Sequence, residues 1–135
     1  MKSKPTQLKF CKYHKGRNKG FSYKRNLLFY GNYGIKSLEN GFLNFKQIES
    51  ARKSLVKNLG KNIKVWIRIF PDKVLTKKPL EIRMGKGKGN VFDWVSVIKP
   101  GIIILEVKTF DFNLVRCSFY TAAQKLPFKT EVCLI

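Results

Sequence analysis

Eight residues, Arg83-Met84-Gly85-Lys86-Gly87-Lys88-Gly89-Asn90, set the tightest limit on what this chain can fold into. Glycine at every second position removes the side chains a core needs and admits a left-handed backbone that other residues avoid. The stretch cannot be the interior of a strand or helix, so it must be a surface loop. Segments with strand character flank it, Leu80 to Met84 before and Val91 to Ile98 after, and it reads as a hairpin tip. Arg83, Lys86 and Lys88 put three cations on that tip, on a backbone whose own N–H groups can donate. Such a loop packs badly and lies well against phosphates. A solvated basic turn accounts for these eight residues as well, and the rest of the chain has to decide between the two.

Charge decides it. The 135 residues carry 28 Lys+Arg against 8 Asp+Glu, a formal net charge of +20. A chain with that balance repels itself and binds polyanions, so its ordinary state includes an anionic partner. Hydrophobic residues make up 44% of the sequence, enough for a folded domain with a core of its own. No stretch approaches the ~20 apolar residues of a membrane span, and no basic amphipathic helix with a large apolar face is present, which leaves nucleic acid ahead of membrane as the partner.

The first 25 residues read as a basic extended arm, and residues 26–135 as a single domain. Up to Leu38 there are ten Lys/Arg and no acid. Lys12, His14, Lys15, Arg17 and Lys19 alternate with Tyr13, Gly16 and Gly20, a mixture with too little apolar surface to fold alone. The nearby Phe10, Tyr13, Phe21 and Tyr23 offer rings that can stack on bases. Met1 to Pro5 is basic with no apolar run behind it, unlike a secretory signal.

In the domain, Leu27 to Leu38 reads as strand material bent or bulged at Gly31 and Gly34. Asn44 is a helix N-cap with Gln47 placed to close a capping box. Ile48, Ala51, Leu55 and Leu59 form one apolar stripe, and Gly60 ends the helix. The stretch 62–70 alternates Ile63, Val65, Ile67 and Ile69 with Lys64, Trp66, Arg68 and Phe70. Its first face is core; its second either meets RNA or is covered by a second helix. Lys73 to Pro79 reads as a connection, and Ile102 to Leu105 as a central strand. Asp111 caps a second helix running to about Leu126, with Leu114, Val115, Phe119, Ala122 and Leu126 as its stripe, and Phe128 to Leu134 closes the sheet. The class is α+β, two helices packed against a mainly antiparallel sheet.

Catalytic chemistry finds no footing. The eight acids are spread singly, so no carboxylate pair is offered, and His14 stands in the arm without a partner to make it a general base. The loop glycines fit neither the phosphate-binding P-loop nor the dinucleotide fingerprint. Cys11, Cys117 and Cys133 show no metal-ligand or disulfide spacing, which predicts no metal, no cofactor and a reducing compartment. Scattered acids in so basic a chain are expected to form internal salt links that orient Arg and Lys.

Read together, several blocks resemble a known family. They are Lys12 to Gly20 (K-x-H-K-G-R-x-K-G), Gln47 to Arg52, Trp66 to Lys73, Lys78-Pro79-Leu80, Arg83 to Asn90, and Lys125-Leu126-Pro127. In this order and over essentially the whole chain, they are similar to the bacterial-type large-subunit ribosomal protein L sixteen family. The resemblance implies a non-enzymatic constituent of the ribosome with an α/β-hammerhead-like fold. It implies binding to large-subunit rRNA beside the A site, contact with A-site tRNA (P-site tRNA is a further option), and a role in translation and late subunit assembly. Carried over by position, Arg83, Met84, Lys86 and Lys88 face tRNA, whereas Lys12, His14, Lys15, Arg17, Lys19, Arg52 and Arg68 face rRNA. Neighbouring large-subunit proteins are the other partners; a membrane and self-association are not expected. The bias toward Lys, Asn, Ile and Phe suits an AT-rich genome and reads as organelle-encoded, in the mitochondrial matrix, with plastid stroma or bacterial cytoplasm as alternatives. A free-standing nucleic-acid-binding or RNA-processing protein is the competing class.

Overall fold

The first helix forms where its sequence signals place it. In the structure, a computed structural model that describes residues 3–60 and 62–134, α1 spans Phe45–Leu59. The first two residues of the expected arm lie outside the described residues. The Asn44 side chain accepts from the Gln47 N–H at 2.9 Å, and the Gln47 side chain accepts from the Asn44 N–H at 3.1 Å, which satisfies two donors the helix end would leave open. Ile48, Ala51, Leu55 and Leu59 are all buried. Each fully buried leucine or isoleucine in that stripe contributes on the order of 1.5–3 kcal/mol. The Gly60 N–H returns to the Val56 carbonyl at 3.1 Å and closes the helix.

The remaining elements, in chain order, are β1 (Tyr33–Ser37) and β2 (Gly41–Asn44) before α1, then β3 (Val65–Ile67), β4 (Lys73–Lys77), β5 (Asn90–Ile98), β6 (Ile103–Val107), α2 (Phe112–Ala123) and β7 (Thr130–Leu134). They build two sheets, one ordered β3-β6-β1-β7 and one β2-β5-β4, and every pairing among the described residues is antiparallel. The fold is therefore α+β, as its sequence pattern predicts. The strands divide between two sheets because β2 leaves β1 after a three-residue turn and pairs with β5 instead.

Both helices lie on one face of the four-stranded sheet. Ile35, Leu105 and Val107 point into that layer with the α1 stripe and with Val115, Phe119, Ala122 and Leu126. The β1–β6 register skips Ile104, pairing Ile35 with Leu105 and Lys36 with Ile103. This bulge brings Ile104 and Leu105 alike to the helical side and turns Ile103 to the other. In α2, Leu114 is exposed and Ser118 takes the buried position, its hydroxyl donating to the Leu114 carbonyl at 2.7 Å. The helix stops at Ala123, and Leu126 reaches the core from the turn that follows.

Other expectations change as well, and the strand expected over Leu27 to Leu38 forms only at Tyr33–Ser37. The strand before the glycine loop is Lys73–Lys77, not Leu80 to Met84. Alternation alone cannot make a strand without a partner, and β5 is already paired by Lys73–Lys77, so Leu80 and Met84 stand almost fully exposed on the loop. The stretch 62–70 is a strand only over Val65–Ile67. Its second face is not covered by the second helix, since the helices occupy the opposite side of the sheet; the segment 27–31 covers it.

Candidate nucleic-acid interface

The hairpin β4–β5 projects the loop 78–89 away from the core. Within it Gly85 (φ 97°), Lys86 (φ 49°) and Gly87 (φ 81°) are three successive left-handed residues. Among the described residues Lys86 is the one non-glycine with positive φ, a conformation that costs about 1–2 kcal/mol in an L-residue. Flanking glycines on both sides make the reversal sterically possible and throw the lysine outward. Arg83, Met84, Lys86 and Lys88 are all exposed, Met84 at 97%. Lys78 folds back, donating from Nζ to the Gly85 carbonyl.

The N-terminal segment lies along this hairpin without forming a helix or strand. Lys88 donates to the Tyr13 carbonyl and Lys73 to the Lys15 carbonyl. Asn18 anchors the same segment farther along, its Nδ2 donating to the carbonyls of Ile98 at 2.8 Å and Gly41 at 3.1 Å. Further on, the Ser22 N–H donates to the Pro100 carbonyl and the Ile103 N–H to the Arg25 carbonyl, each at 3.0 Å. The main chain is thus held against the domain while Lys12, His14, Lys15, Arg17 and Lys19 remain exposed. Hairpin and arm are in contact, and both carry exposed cations.

Arg52 and Arg68, unlike the cations of arm and hairpin, are each paired with an acid. Arg52 makes a two-pronged pair with Glu49 across one helical turn, at 2.6 and 3.0 Å, and this bond holds the Glu49 carboxyl below the usual carboxylate range. Arg68 donates to Glu106, whose side chain is 0% exposed. The same carboxylate accepts from the backbone N–H groups of Tyr30 at 2.7 Å, Gly31 at 3.1 Å and Phe29 at 3.2 Å. Burial pushes the Glu106 carboxyl up; the three N–H groups and the guanidinium outweigh it, and it sits below its ordinary value. Such a cluster survives burial because each lone pair finds a donor.

The third described ion pair is Lys36 with Glu131 at 3.3 Å. Three of the eight acids, Glu49, Glu106 and Glu131, do act as internal salt links, as expected, and orient Arg52, Arg68 and Lys36. The described lysines of the hairpin and arm have no carboxylate within salt-bridge range. Among the described residues no group of three or more His, Cys, Asp or Glu side chains could hold a metal ion, and no helix is long and apolar enough to cross a membrane. Sequence reasoning missed Asn18, Phe29, Tyr30 and the pairing role of Glu106. A signal existed for the last: one acid in the otherwise apolar run Ile102 to Val107 has to find a cation once the strand is buried.

Comparison with known proteins agrees with the geometry. Residues 5–133 match the family model described as ribosomal protein L16p/L10e. The chain is 69% identical over 133 residues to a large ribosomal subunit protein uL16 of Carsonella ruddii (strain PV), covering 98% of each. It is 50% identical over 126 residues to the uL16 of Buchnera aphidicola subsp. Baizongia pistaciae (strain Bp), covering 93% of this chain and 92% of that one. Against the uL16 of Psychrobacter arcticus it is 47% identical over 128 residues, covering 95% and 93%.

Proposed function

The chain belongs to the ribosomal protein L16p/L10e family and is a structural, non-enzymatic protein of the large ribosomal subunit; from that premise we propose that it binds large-subunit rRNA beside the A site and reaches A-site tRNA with its glycine-lysine loop. The observation that carries this reading is the contact of the arm with the hairpin, both lined by exposed cations that make no salt bridge. Lys12, His14, Lys15, Arg17 and Lys19 would lie against rRNA phosphates, where binding releases counterions. Arg83, Met84, Lys86 and Lys88 would meet the tRNA, on a backbone bare enough to approach a sugar-phosphate chain closely. The guanidinium groups of Arg52 and Arg68 are oriented by Glu49 and Glu106 and keep further N–H donors, Arg52 its Nη1 and Arg68 its Nε and Nη2, with which they would reach rRNA.

Residues 1–25 act in this reading as an arm that follows the hairpin onto RNA and supports late subunit assembly. The bacterial relatives favour the bacterial cytoplasm over a mitochondrion or plastid as its compartment. Sedimentation of cell extract through a sucrose gradient in high salt tests the assignment. The chain should travel with large subunits and translating ribosomes; a slow, small peak would remove the rRNA and tRNA roles together.

A further inference from the structure

The sheet face opposite the helices carries a second surface that neither the arm nor the loop accounts for. Paired registry puts Gly34, Trp66 and Glu106 on that face, and the segment 27–31 straps across it. Leu28 fills the space over Gly34, and Gly31 approaches the Val107 backbone so closely that a Cβ there would lie 2.4 Å from its carbonyl oxygen. The strap backbone is fixed by three N–H bonds to Glu106 and by the Asn32 N–H donating to the Val107 carbonyl at 3.0 Å. On this rigid support two adjacent rings point outward, Phe29 at 80% exposed and Tyr30 at 56%. Tyr30 stacks on Trp66 with centroids 6.1 Å apart and planes at 19°, and the Arg68 guanidinium lies 5.7 Å from the Phe29 ring and 5.5 Å from that of Tyr30.

We propose that Phe29 and Tyr30, held by the Glu106–Arg68 clasp, form a stacking platform for an unpaired base of the large-subunit rRNA. Three features point to a nucleobase. The rings are exposed on a backbone that is hydrogen-bonded in place, so the main chain needs no ordering when a base stacks on them. The planar Arg68 guanidinium lies against the same rings, and aromatic side chains with arginine are the combination that holds single-stranded nucleic acid. The flanking charge is positive: exposed Lys64 precedes β3 and exposed Lys108 follows β6, at the strand ends paired through Val65 and Val107. The only acid in the cluster, Glu106, is buried and neutralised.

This inference rests on the rRNA-binding reading, and the test separates the two. The parent chain and its Phe29 variants would be titrated onto a protein-free transcript of the large-subunit rRNA by filter retention at several salt concentrations. Phe29→Ala is expected to weaken binding at least about fivefold with an unchanged salt slope, because stacking is lost and no phosphate contact is. Phe29→Tyr should restore binding, and Phe29→Leu should behave like alanine; urea midpoints should match the parent, since the ring is largely exposed. Parental affinity in Phe29→Ala, or retained by Phe29→Leu, overturns the platform while the rRNA role stands. So does an effect seen only when neighbouring ribosomal proteins are present, which would make the face a protein contact. Failure of the parent itself to show salt-sensitive binding would sink the rRNA reading and the platform with it.

Discussion

The hairpin tip and the clasp around the strap 27–31 each combine a cation with a glycine, Lys86 with Gly85 and Gly87 in one and Arg68 with Gly31 in the other, to opposite ends. At the tip, Lys86 and Lys88 have no carboxylate, the backbone runs through three left-handed residues, and the space around Gly85 and Gly87 is empty. At the strap, Arg68 is bound to a fully buried acid, and Gly31 is there because another backbone fills the place of its side chain. Positive charge left unpaired on a bare loop is available to a partner; positive charge sealed against a buried acid builds the support from which a surface is displayed. Charge count therefore does not identify an interface; the partner of each charge does.

The comparison breaks first at Glu106. Glu106→Ala strands the Arg68 guanidinium and three backbone N–H groups, and is expected to cost about 3–5 kcal/mol in urea unfolding, more than any change at the tip. A loss below ~1 kcal/mol would mean that the clasp is incidental. Acid should act on the same group. Its folded pKa is depressed, so its contribution is present above the unfolded value of ~4.3 and disappears as pH falls through the lower folded value. Part of the parent's loss of stability below about pH 4.5 should be missing from Glu106→Gln, which a pH series of unfolding midpoints would reveal.

Matched glycine changes sharpen the contrast. Gly31→Ala drives a methyl group into the Val107 backbone and should cost about 1–3 kcal/mol of global stability. Gly87→Ala has room but must hold a left-handed backbone; a cost of about 1–2 kcal/mol should appear as local loop distortion, visible in amide exchange around 85–88 more than in the unfolding midpoint. Equal effects on the midpoint would show that the two regions are not mechanically distinct. The smallest stability change, within about 0.5 kcal/mol, is expected for Lys86→Ala combined with Lys88→Ala. That pair should nonetheless flatten the salt slope of RNA binding by roughly 1.5, and ribosomes carrying it should bind A-site tRNA less well. Undiminished tRNA binding by such ribosomes would remove the loop from the tRNA contact.

Helix α1 was legible down to its capping pair because its signals are local: Asn44, Gln47, the stripe and Gly60 act within a few residues of one another. The loop was legible for the same reason, since alternate glycines forbid anything else. Alternation misled at Leu80 to Met84, where the pattern of a strand is present and no free sheet edge is, while the true partner, Lys73–Lys77, looked like a connection. Arg68 was singled out as a site residue without any indication of what it touches, because Glu106 is 38 positions away.

The sequence by itself determined a basic α+β chain with two capped helices and a lysine-tipped loop that has to be on the surface, because composition, periodicity and backbone freedom are properties of neighbouring residues. Only the tertiary structure decided which cations are free and which are spent, that the strands divide into two sheets, and that Phe29 and Tyr30 are held outward. Those outcomes depend on which distant groups meet once the chain is packed, and a buried acid chooses its partner by proximity in space rather than in sequence.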